Sequence, residues 1–240
     1  MIAVCGSLEL AHARLSARLG ARPAEALWQR IESARELAAV LDIARSSALA
    51  PWLAGIGPAS PLHTLEGALR RHWRERVAEL ASWLPPAWQA ALVACATLAD
   101  LPLVQHLARG GSEPAWLDQD DEAAALRRRA DAHRRAPGKV LEAWLAEWRA
   151  LLPAGAGRRA VEQRLLPLLE RHAAALAAPA LVEGWTLRRA LHDRLLALLR
   201  RAPVEPVAVF AYLGLVALEH ERLRGELVVR AALPGRGLAA

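Results

Sequence analysis

The chain has 240 residues, of which 54% are hydrophobic and 23% charged; this suits one or two folded domains and excludes a disordered tail. Three Thr (Thr64, Thr97, Thr186), four Ile, one Tyr and one Phe leave too few β-branched and aromatic residues for a sheet-centred fold, whereas Ala, Leu, Arg and Glu favour helix. Lys+Arg 31 against Asp+Glu 25 gives a net charge of +6, but a single lysine, Lys139, and no asparagine point to a codon bias toward arginine as much as to an anionic partner.

Pattern and breakers predict the elements in order. Leu8 to Leu19 reads as a first helix, and Pro23 to Arg45 as a second, with Leu27, Ile31, Leu37 and Leu41 at helical spacing. Gly55 to Pro61 interrupts. Leu62, Leu65, Leu69, Trp73, Val77, Leu80 and Leu84 then form a long apolar stripe, whose opposite side, with Arg70, Arg71, Arg74, Glu75 and Arg76, is expected to face water. Pro85 and Pro86 end that helix and start another, Trp88 to Arg109. Further helices are predicted from Val140 to Leu152, from Arg158 to Ala177 with a kink near Pro167, from Thr186 to Arg201, and from Pro206 to Ala232.

Between them, residues 110 to 138 change character, with Gly110-Gly111-Ser112, an acidic cluster (Asp118, Asp120, Asp121, Glu122) and a basic one from Arg127 to Arg135. The expectation is an all-α multi-helix bundle of two or three stacked lobes: an N-terminal lobe 1–109, a charged linker 110–138 and a C-terminal lobe 139–240. The first 120 residues hold 11 cations and 12 anions, the remainder 20 and 13, so an anionic partner would meet the second half.

Chemical motifs are sparse. Lys139 lacks the glycines and the following hydroxyl of a phosphate-binding loop, and Gly155-Ala156-Gly157 follows a predicted helix where a dinucleotide fingerprint follows a strand. Cys5 and Cys95 have no metal or redox spacing, which fits a reducing, cytoplasmic setting. The start of the chain has no basic and apolar leader pattern, and the uncharged run Leu80 to Ala99 is interrupted by Pro85, Pro86 and Gln89, so no membrane span is expected. Consecutive residues on a helix point in different directions, so Glu219-His220-Glu221 cannot converge on one ion. The Asp118 run reads as a solvated linker. No catalytic, metal or cofactor residues are assigned. The Arg127 to Arg135 cluster could neutralise phosphates, but it has no aromatic residues for base stacking and Asp131 interrupts it, so a solvated, salt-bridged helix is expected there and nucleic acid is not the expected partner. Of nine tryptophans, Trp73, Trp83, Trp88, Trp144 and Trp148 fall in or beside apolar stripes; Trp28, Trp52, Trp116 and Trp185 are less clearly placed, and some of them are candidate partner anchors.

The last predicted helix carries Pro206, then Ala211-Tyr212, Glu219 and Leu223-Arg224, at offsets that resemble the terminal helix of the C/d-type central-stalk family of V-type and A-type ATPases. Ala13 to Leu19, Ser33 to Leu37, Arg45 to Leu53, and Asp100 with Arg109 are similar to further family segments, while Val216-Ala217 and Leu103 depart from its Lys-Glu and Asn. The resemblance implies a non-catalytic helical socket that joins the rotor shaft to the membrane ring of a rotary ATPase during proton or sodium transport. It would be cytoplasmic and peripheral to the inner membrane through that complex, with Tyr212, Glu219 and Arg224 as candidate partner-interface residues. The alternatives are a helical scaffold or accessory protein of another complex, or a nucleic-acid binder through Arg127 to Arg135.

Overall fold

The computed structural model describes residues 7–177 and 184–233. Among them every regular element is helical: α1 (Leu8–Gly20), α2 (Glu25–Ser33), α3 (Leu37–Arg45), α4 (Leu62–Trp83), α5 (Pro86–Val93), α6 (Leu101–Ala108), α7 (Ala123–His133), α8 (Val140–Ala150), α9 (Ala156–Ala160), α10 (Leu166–Ala177), α11 (Gly184–Arg201) and α12 (Pro206–Ala232). Helix starts follow local chemistry. The Ser7 hydroxyl accepts from the Leu10 amide at 3.1 Å to cap α1. Prolines occupy the first turns of α5, α6 and α12, where their missing N–H costs nothing.

The longest helix, α12, is the spine. Its residues from Pro206 to Leu213 are all buried, as are Leu215, Val216, Leu223 and Leu227, and it packs on α1, α3, α4 and α11. The approach to α11 is close at Gly214, where a Cβ would stand 2.9 Å from the Leu195 Cδ1. A comparable fit holds α9 against α5: a Cβ on Gly157 would meet the Trp88 ring at 2.6 Å. One continuous core therefore runs from Ala11 in α1 to Leu227 in α12. A second, smaller core of Val104, Leu107, Leu117, Ala123, Leu126, Ala130 and Val140 joins α6, α7 and the start of α8.

Several expected boundaries shift for physical reasons. The division at 110–138 does not separate two cores, because α4 of the first half packs on α12 of the second, and part of the charged stretch, Ala123–His133, folds into α7. The helix expected from Pro23 to Arg45 breaks at Ala34–Glu36. There the Arg230 guanidinium reaches back from α12 and donates to the carbonyls of Ile31, Glu32 and Ala34 at 3.1, 3.0 and 2.7 Å, satisfying the end of α2. The stretch from Trp88 to Arg109 passes through a 3₁₀ segment, Ala94–Asp100, between α5 and α6. Near Pro167, α9 and α10 join through a π-helical turn over Val161–Leu165, which makes room for a residue with no N–H to give.

Candidate functional site

The three residues singled out on the terminal helix have different surroundings. Tyr212 is buried on α12, and burial beside Glu219 pushes its phenol pKa up. Glu219 is ion-paired with Arg22 of α1's C-terminal loop, both side chains being nearly buried; burial raises its carboxyl pKa against the pull of Arg22. Both therefore act inside the molecule, as contacts of the spine. Arg224 is exposed and donates to Glu66 of α4, with Nε 2.8 Å from Oε2; of the three, it alone is placed to meet a partner. Two of the positions that depart from the resembled pattern lie in apolar surroundings: Val216 is buried and Ala217 lines a groove.

Arginine pairs join the spine to its neighbours. Arg222 lies between the indoles of Trp28 and Trp185, 4.6 and 4.1 Å from the ring centroids, and donates to Glu25 and Glu32 of α2. Arg188 of α11 pairs with Glu221. Trp185, the most exposed of this group, thus packs on a cation of its own chain.

The acidic and basic clusters of 110–138 also turn inward in part. Arg70, expected to face water, is buried. It stacks on Trp116, 4.0 Å from the ring centroid, and lies 3.2 Å from Asp120 and 3.9 Å from Asp100. The Arg74 Nη2 donates to both carboxylate oxygens of Asp100, at 3.0 and 3.1 Å. Burial raises the Asp100 pKa despite both arginines. Asp120 is therefore an anchor for the 110–122 segment, where the sequence suggested a solvated linker. In the basic cluster Arg127 is held by Glu113 and Asp118, and Arg134 by Asp131. Arg128, Arg129 and Arg135 are exposed, with no carboxylate partner among the described residues.

A groove of about 790 Å³ lies between α6 and α8 on one side and α10, α11 and α12 on the other. Trp73, Cys95, Trp148, Phe210 and Leu213 form its floor, and Leu141, Trp144 and Leu176 stand toward its mouth. Trp148 meets Phe210 edge-on at 5.5 Å and stacks on Trp144 at 5.9 Å. The Cys95 thiol is pushed up to about 12 by burial, so it is not a nucleophile near neutral pH. The apolar stretch Pro86–Ala108, long and apolar enough by length and composition to cross a membrane, contributes Leu98, Leu101, Pro102 and Gln105 to this wall. Sequence reasoning placed these tryptophans in the core and did not see the groove, which brings together helices from both halves of the chain. Among the described residues no cluster of three His, Cys, Asp or Glu is placed to hold a metal ion.

Fold and site together define a multi-helix all-α protein with an apolar groove beside a deeply buried helix, α12. Comparison with family models, curated proteins and solved structures finds no match to the chain.

Proposed function

We propose that the chain is a non-catalytic adaptor in the central stalk of a rotary V/A-type ATPase, coupling rotor shaft to membrane ring during proton or sodium transport. The observation that carries this reading is the ungapped Pro206, Ala211-Tyr212, Glu219, Leu223-Arg224 pattern, falling on the longest helix, which packs on α1, α3, α4 and α11. An adaptor under torque needs a body that resists shear. A long buried helix tied to α1, α2, α4 and α11 by Arg22–Glu219, Arg222–Glu25, Arg222–Glu32, Arg224–Glu66 and Arg188–Glu221 supplies one. The expected partners are shaft and ring proteins, with the chain held at the inner membrane through them. Affinity capture of the full chain from gently solubilised native membranes should retain shaft or ring proteins of the ATPase, and Arg224→Glu should weaken that retention while leaving helicity unchanged. Capture of an unrelated complex would move the chain to the scaffold class. Binding to random DNA that falls steeply with salt and disappears on neutralising Arg128 and Arg129 would move it to the nucleic-acid class.

A further inference from the structure

The two hydrophobic cores do not merge. The smaller one closes α6, α7 and the start of α8 into a lobe, Leu101–Val140, and none of its buried residues belongs to the larger core. The chain enters this lobe through Ala94–Asp100 and leaves it through Pro137–Lys139, both of them 3₁₀ segments. Seven consecutive residues is long for a 3₁₀ geometry, whose hydrogen bonds are poorer than those of an α-helix, and a stretch of this kind between two α-helices is a place where a chain bends at low cost.

The side-chain ion pairs and hydrogen bonds between the lobe and the rest of the molecule run, among the described residues, through two arginines of α4. Arg70 Nη2 lies 3.2 Å from Asp120 Oδ2, and Arg74 Nη1 lies 3.7 Å from Asp120 Oδ1. Trp116 of the lobe stacks on the Arg70 guanidinium. The same two arginines hold Asp100, at the end of the first 3₁₀ segment. The contact closes on imperfect geometry. Arg70 Nε and Nη2 are buried without a hydrogen-bond partner, so the approach of Nη2 to Asp120 is an ion pair that is not aligned as a hydrogen bond. Buried donors left unpaired are destabilising. Water would reach them once the lobe moves away, and that hydration offsets part of the ion pairing lost.

The lobe is also part of the groove. Leu101, Pro102, Gln105 and Val140 line the cavity, whose remaining walls include α10, α11 and α12 of the larger core. A displacement of the lobe therefore changes how open the groove is.

We propose that the lobe Leu101–Val140 is a hinged flap on the apolar groove, pivoting on its two 3₁₀ connections and latched to α4 by Arg70 and Arg74, and that it opens and recloses while the larger core stays folded. The flap is independent of the adaptor reading and stands or falls without it.

The test follows amide hydrogen exchange of the purified full chain at pH 7 by mass spectrometry, in a Cys5→Ser background that leaves Cys95, buried in the groove lining, as the single thiol. Amides of α6 and α7 should share one opening equilibrium, populated roughly ten-fold more than that of α4 and α12. Asp120→Asn removes the charge of the latch at nearly constant volume. It should raise exchange in α6 and α7 by roughly ten-fold more, and modification of Cys95 by a neutral aromatic disulfide by a similar factor, with α4 and α12 unchanged. Arg74→Gln, at a partly exposed position and so a lighter burden on folding, should raise both readouts together by a smaller factor. A rise spread equally over α4, α6, α7 and α12 overturns the proposal, because the chain then opens as one unit. So does faster exchange in α6 and α7 with Cys95 modification unchanged, because the lobe then frays without opening the groove. Unchanged exchange and modification in both variants overturns it as well.

Discussion

His220 provides a direct test of how the core was assembled. Its imidazole lies on α12 between the indoles of Trp52 and Trp73, with ring centroids at 4.9 and 5.8 Å, and its Nε2–H donates to the Leu69 carbonyl at 3.2 Å. Burial disfavours the imidazolium and lowers the pKa from 6.5 to about 4; Arg224 adds to the shift, while the Leu69 carbonyl, Glu66 and Glu221 oppose it. The folded pKa lies below the unfolded one, so the unfolded chain binds more protons in the window from 6.5 down to about 4. Stability from this residue is present above that window and lost as pH falls through it. Between pH 7 and pH 5 the two values give a loss of about 2 kcal/mol, or roughly 4–8 °C in Tm for a chain of this size. Urea unfolding at both pH values, with His220→Gln as the reference, isolates the term. Gln keeps a donor for the Leu69 carbonyl and does not titrate, so the variant should lose about 2 kcal/mol less than the parent over that interval. Equal losses in the two proteins would refute the burial of a neutral imidazole in this core.

Arg70→Met removes the cation between Asp100 and Asp120 while keeping a stem over Trp116; it should cost about 3–5 kcal/mol, as expected when one partner of a buried pair is lost. The deficit should shrink as pH falls, because protonation relieves the abandoned carboxylates, and hydrogen exchange across Ala123–His133 should rise above that of α12. Val204 is the one described non-glycine residue at positive φ, 57°, a conformation that crowds a β-branched side chain. Val204→Gly should therefore raise stability by about 1 kcal/mol in thermal unfolding, against the usual cost of a new glycine.

The helices were legible in the sequence because their signals are local. Alanine and leucine richness, prolines at helix starts and the stripe from Leu65 to Leu84 set α4, α11 and α12 nearly to the residue. Signals that act across the chain were not legible. The break after α2 depends on Arg230, 196 residues away from the Ala34 carbonyl it contacts. The burial of Arg70 depends on Trp116 and Asp120 folding back over α4, and no periodicity within α4 announces that cover. Tyr212 was singled out through the resemblance as a candidate partner-interface residue, and its burial on α12 was not legible. Glu219 was readable as polar, but its partner Arg22 was not.

Composition and period alone determined that this chain is all-α, because helix propensity and a repeat of 3.6 residues are properties of neighbouring positions. Tertiary structure alone decided which charges face water, where the two cores meet, and that five separate helices leave an aromatic groove between them. Those outcomes depend on contacts between residues far apart in the chain, fixed only when the helices pack.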